Sequence, residues 1–359
     1  MLKRPYTVVL IVPTGVGAAI GGYAGDALPV ARAIVQVADR LITHPNVLNG
    51  AQLYWNLPNA LYVEGYGLDR FASGQWGLRP VHQNRVGLVL DQGIEPDLRL
   101  RQLQAADATR ATLGLDLTEY VITDAPLNVS LKTAASGATW GTIQNPDSLL
   151  RAVEVLLKKA GAEAIAVVVR FPDDLDSEAL QRYRQGQGVD PLAGAEAVIS
   201  HLVVRTFQIP CAHAPALAPL PLDSQVSPRS AAEELGYTFL PCVLVGLSRA
   251  PQFIVRIGPS YYPQASDIWA DQVDAVVIPA TAFGGSATLS FSQTRSRLVA
   301  VEENHTTMQV APDALKISTV KVHSYLEALG YLVTHRAGIS ADALKPAIPS
   351  LGCLEDWSD

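Results

Sequence analysis

The stretch VVLIVPTGVGAAIGGYAGDALPVARAIVQV, Val8 to Val37, decides the fold. Its first residues are apolar without alternation, the mark of a strand covered on both faces. Pro13 removes a backbone donor where a ladder would end, and glycines follow at 15, 17, 21, 22 and 25. Apolar residues then recur at Val30, Ile34, Val37 and Leu41, a spacing that gives a helix one buried face. Strand, glycine-rich loop and helix in that order open an α/β unit.

The pattern repeats outward from this unit. Thr7–Pro13, Arg85–Asp91, Ala164–Phe171, Cys242–Leu247, Asp274–Ala280 and Arg297–Asn304 all read as buried strands. Helical patterns lie between them, such as NPDSLLRAVEVLLKKAGA from Asn145 with its capping residues and closing glycine. The prediction is an α/β fold, mainly parallel, with helices on both faces and two lobes around a cleft. Pro215, Pro219, Pro221 and Pro228 mark 211–230 as a semi-rigid connection. It would join an N-terminal lobe, 1–210, to a C-terminal lobe, 231–359, with one integrated domain as the alternative. Ala275–Ala287 also echoes Val9–Ala19: an apolar strand, a proline at its exit, then small residues. Local chemistry alone would produce it; a true duplication is the alternative.

Composition narrows the function. The chain has 359 residues, 48% of them hydrophobic, and a net charge of −7. It has no basic run of the kind nucleic-acid binding needs, so nucleic acid is excluded as a partner. No apolar run approaches the roughly 20 residues of a membrane span. The apolar run after Lys3-Arg4 meets Pro13 too soon for a signal peptide, so a cytoplasmic chain is expected. The three cysteines are widely spaced and form no disulfide or zinc framework. Cys211 and His213, two apart, have no second pair nearby, and no metal site is assigned.

The candidate site residues cluster at strand exits, where open α/β sheets bind ligands. The loop Thr14, Gly15, Gly17, Gly21, Gly22 approximates a dinucleotide fingerprint, but Pro13 interrupts the strand-to-turn step. No acid follows RLITHP to meet a ribose, so a nicotinamide cofactor is disfavoured and no other cofactor is expected. The amides of that loop would still suit an anion or small substrate. Asp26 either caps the helix or faces the site. His44, Asn46 and Asn49 crowd the next strand exit, and His44 is a candidate proton carrier. Ser136 lies in the small-residue run Thr133–Thr142, and Arg170, with Asp173 and Asp174, ends a buried strand. Glu303 ends another, and pleating would send it and Glu302 to opposite faces. Asp69-Arg70 reads as a local ion pair.

Four runs carry a resemblance: VPTGVGAAIGGYAGDALPVAR, DRLITHPNVLNGAQLYWNLPNALYVEGYGLDRF, YRQGQGVDPLAGAEAVISHLVVRTFQIPCAHAPA and VSPRSAAEELGYTFLPCVLVGLSRAPQF. Together they resemble a cyanobacterial protein family known as a domain of unknown function, from Tyr6 to about Lys345. The resemblance implies a cytosolic protein of one unit and assigns no activity or catalytic residue.

The expectation is a metabolic enzyme acting on a small polar or anionic molecule, by hydrolysis, isomerisation or group transfer rather than hydride transfer. His44, Glu303 and Asp26 would handle protons. Thr14, the four glycines, Asn46, Asn49, Ser136 and Arg170 would hold the substrate. A metabolite-binding regulator or an assembly protein, including a homo-oligomer, is the alternative. Catalysis predicts that at least two of Asp26, His44, Asp69, Asp173 and Glu303 converge on one pocket.

Overall fold

Val8 and Leu10 point into one core and Val9 into another, and all three are fully buried. That alternation is the pleat of a strand covered on both faces. The computed structural model describes residues 4–49, 55–172, 177–236, 239–256 and 262–352. Its first eight strands are Thr7–Leu10 (β1), Arg40–Thr43 (β2), Ala60–Tyr62 (β3), Gly77–Arg79 (β4), Val86–Leu90 (β5), Leu117–Ile122 (β6), Val129–Thr133 (β7) and Thr139–Ile143 (β8). The rest are Ala164–Arg170 (β9), Cys211–Ala216 (β10), Gln252–Ile254 (β11), Ala275–Pro279 (β12), Arg297–Val301 (β13) and Val320–Val322 (β14).

Two parallel sheets form the molecule, so the α/β reading holds. The larger runs β14-β13-β12-β1-β2-β3 and the smaller β10-β9-β5-β6, each with parallel pairings throughout. Helices Leu28–Val37 and Tyr325–Ala337 cover one face of the larger sheet, and Gly65–Ala72 and Ser286–Phe291 the other. Helices Pro146–Val155 and Ala193–Phe207 back the smaller sheet. Two short antiparallel pairs complete the set, β11-β4 and the hairpin β7-β8.

Three expectations need correction. The partition into 1–210 and 231–359 runs through the larger sheet, because β1 is hydrogen-bonded between β12 and β2. One core cluster spans both sheets, the integrated arrangement. The connection 211–230 is not irregular throughout, since Cys211–Ala216 is β10. Cys242–Leu247 is no strand: it lies in the helix Leu240–Ser248, whose every residue from Cys242 on is buried. A helix buried all round has no polar stripe, so its sequence imitates a buried strand.

The echo at Ala275–Ala287 does not extend to the backbone. Gly15, Gly17 and Gly21 take positive φ, whereas Gly284 and Gly285 do not. β1 and β12 are neighbours in the larger sheet.

Candidate functional site

A small chamber of about 110 Å³ opens where the strand exits of the two sheets face one another. Thr14 follows β1, His44 and Asn46 follow β2, Glu64 follows β3, and His213 and Pro215 sit on β10. The opposite wall is helix Ala193–Phe207, which presents Ala193, Glu196, Ala197, Ser200 and His201. Those positions are spaced three and four apart, one face of a helix.

Glu64 is the most tightly held of these groups. It caps helix Gly65–Ala72, its Oε2 accepting from the Tyr66 and Gly67 amides at 2.8 and 3.2 Å. Negative charge at a helix N-terminus is favoured by the dipole. Its Oε1 lies 2.9 Å from His201 Nδ1 and accepts from Ser200 Oγ at 3.5 Å. Burial works against the His201 imidazolium, but Glu64 outweighs it and the histidine titrates above its ordinary value. Further round the wall, His213 Nδ1 lies 3.2 Å from Ser200 Oγ and its Nε2 3.6 Å from Glu196 Oε2.

Glu233 faces this histidine wall from the short helix Ala231–Glu234. Its Oε1 accepts from the Ala24 amide at 2.7 Å, and its Oε2 accepts the Tyr183 hydroxyl hydrogen bond. Burial first, then the neighbouring Glu196 and Asp26, push its carboxyl up to about 7 despite these two donors. Nearby Asp190 is raised well above the carboxylate range by burial and by Glu233 and Glu196. Acidic groups are therefore in excess here. Among the described residues, no lysine or arginine lines the chamber.

His44 lines the chamber, but not as a base. The Val12 amide donates to its Nε2 at 3.1 Å, and burial holds its pKa down at about 4. A neutral ring accepting at Nε2 carries its proton on Nδ1, so it can donate and has no free lone pair. Asn46 donates from Nδ2 to the Gly21 carbonyl at 2.9 Å, and Asn49 Oδ1 accepts from the Tyr62 hydroxyl at 3.1 Å. Both line the chamber, as does Thr14.

The glycines are another matter. A Cβ on Gly15 would lie 3.0 Å from Thr139 Oγ1, on Gly17 2.9 Å from Val189 Cγ2, on Gly21 2.4 Å from Val12 Cγ1, and on Gly22 2.3 Å from the Ala18 carbonyl. The close approach these glycines permit is to the protein itself. Three of the loop's amides are spent within the protein: Ala19 donates to the His305 carbonyl, Ile20 to Asn304 Oδ1, and Gly25 to the Asn46 carbonyl. The loop thus packs against β8, Val189 and the exit of β13.

The remaining candidates lie elsewhere. Asp26 pairs with Arg229 at 3.2 Å, and burial, opposed by that arginine, raises it to about 6, but it does not line the chamber. Glu303 accepts from the Tyr325 amide at 3.1 Å at the start of helix Tyr325–Ala337. Ser136 is exposed at the turn of the β7-β8 hairpin. Arg170 is tied to Glu95 at 2.8 Å. Asp69 accepts from the Ala287 amide while Arg70 reaches Tyr66 and Gln75, so no local pair forms between them. Asp173 and Asp174 lie outside the described residues. Of the four described groups among the five expected to converge, His44 lines the chamber and Asp26, Asp69 and Glu303 do not; Glu64, Glu196, His201, His213 and Glu233 stand there instead.

Comparison with known proteins places the chain in a family. Residues 7–345 match the family described as protein of unknown function (DUF3326), and the chain belongs to it. It is 61% identical over 354 residues to an uncharacterized lipoprotein of Synechococcus sp., covering 99% of this chain and 97% of that one. No solved structure matches it.

Proposed function

We propose that this protein is an enzyme that moves protons on a small, uncharged or cationic polar molecule held in the chamber between the sheets. One observation carries the reading. Glu233, whose carboxyl titrates at about 7, faces His213 and Glu196 across a chamber into which several strand exits converge. A group poised near neutrality can both take and return a proton. His44 would donate from Nδ1 without changing charge, and the anchored Glu64–His201 pair would fix the facing wall. Hydrolysis, isomerisation and group transfer all draw on such chemistry. The acidic lining favours an uncharged or cationic substrate over the anionic one expected from the glycine loop.

A screen of small metabolites by thermal shift tests this, followed by mass spectrometry of each hit incubated with the protein. The expected result is a hit that wild type converts and Glu233→Gln binds without converting. A hit converted equally by Glu233→Gln would overturn the reading. Ligands that bind but are never converted would favour the second reading, a metabolite-binding regulator, which the internal satisfaction of Glu64 supports.

We also place the protein in the cytoplasm. No helix among the described residues is long and apolar enough to cross a membrane. The Synechococcus relative carries the name lipoprotein.

A further inference from the structure

The chamber does not end at Glu196 and Glu233. These two residues, with Pro215 and Phe239, also line a second cavity of about 410 Å³, so the two spaces meet at a shared wall. Its lining differs in kind from that of the first. Leu180, Leu192, Leu217, Leu220 and Leu240 line it, with Pro191, Pro219 and Pro241 among them. Two arginines stand in its wall: Arg184 is held by Glu234 at 2.8 Å and by the Pro221 carbonyl at 2.8 Å, and Arg101 is exposed at its edge. A polar chamber thus shares a wall carrying two glutamates with a larger, more apolar cavity. Ligand sites that are mainly apolar, with a few convergent polar groups at one end, have this division.

We propose that the molecule bound here is an amphiphile with a hydrogen-bond-donating head, an amine or an alcohol, on an apolar body. The head sits in the inner chamber and the body fills the outer one. This rests on the reading that the inner chamber is the functional site. A donating head suits the shared wall because the Glu196 and Glu233 carboxyls line both spaces and each offers oxygen acceptors. A carboxylate or phosphate head would meet like charge out of water. The body must be apolar because it displaces water from leucine and proline walls.

Titration calorimetry of the full chain with compounds sharing one body separates the claims. Hexylamine and hexanol should each bind about tenfold or more tightly than hexanoate and than the head-only probe methylamine. Affinity should rise along the series ethylamine, butylamine, hexylamine. Ala218→Trp, which fills the outer cavity from its wall, should remove that rise and leave methylamine binding unchanged. Affinity independent of chain length, hexanoate binding as tightly as hexylamine, or an unaltered series in A218W would each overturn the proposal. The wild-type series decides the matter even where A218W does not fold. Methylamine binding that Glu233→Gln abolishes, without any chain-length effect, would leave the inner site standing and this inference refuted. Loss of both would refute both.

Discussion

The Val12 amide donates to His44 Nε2 across 3.1 Å, joining the exit of β1 to the exit of β2. That bond fixes the tautomer and, with burial, keeps the imidazole neutral. In the unfolded chain it would titrate near 6.5, whereas folded it holds off protonation to about 4. Stability from this group is complete above pH 6.5 and is lost as pH falls toward 4, by about 3 kcal/mol. In His44→Gln, whose amide oxygen can replace Nε2 as acceptor, that acid-side slope should vanish. Denaturant midpoints between pH 4 and 7 check it; parallel curves for the two proteins would refute the assignment.

Gly21 answers what the glycine loop is for. At φ +91°, a Cβ there would lie 2.4 Å from Val12 Cγ1. Gly21→Ala should cost about 2–4 kcal/mol, combining left-handed strain with overpacking. Gly330, inside helix Tyr325–Ala337 with nothing within 4 Å of a Cβ, should behave oppositely. There alanine should stabilise by about 0.5–1 kcal/mol. Chemical denaturation of both variants gives the comparison, and equal effects would contradict the packing described.

Much of this fold was legible because it is locally written. Val8–Leu10 and Ala164–Val169 declare themselves by unbroken apolarity, and Leu28–Val37 by its period. The joining of β1 to β12 was not, since the partner strand lies near the other end of the chain and any buried strand would satisfy the pattern. The site was half visible. His44, Asn46 and Asn49 were found because they crowd one loop. Glu196 and His201 were missed although they form a polar stripe with Ser200 on one helix face, a signal read only when that period is checked for polar residues. Glu64 was passed over because a lone glutamate reads as surface, and its capping role depends on where the helix starts. Glu233 and Glu234 differ by one position, yet one lines the chamber and the other pairs with Arg184. No local rule separates them.

Asn304 ties the glycine loop to the exit of β13. It is fully buried and accepts from the Ile20 amide at 3.0 Å. It also donates to the Ile20 carbonyl at 2.8 Å and to the Tyr325 hydroxyl at 2.7 Å. Asn304→Ala strands these partners away from water, and the loss should be about 3 kcal/mol. Amide exchange at Ile20, measured by mass spectrometry, should quicken in step; unchanged protection there would show that the loop is held by other means.

Glu233 gives the test that joins stability to the site. A free glutamate releases its proton near 4.5, but the folded carboxyl keeps it to about 7. Protonation therefore favours the folded state, and this contribution is complete below pH 4.5 and lost as pH rises through 7. Its full size is about 2–3 kcal/mol. Asp26, raised to about 6, runs in the same direction, so the signature of Glu233 is the difference between wild type and Glu233→Gln. The glutamine variant should match or trail wild type at pH 4.5 and gain on it steadily up to pH 7.5. Bound amine should shrink that gain, because a cation beside the carboxylate draws its pKa down. Stability curves that stay parallel across this range, with or without amine, would remove Glu233 as the proton-carrying group.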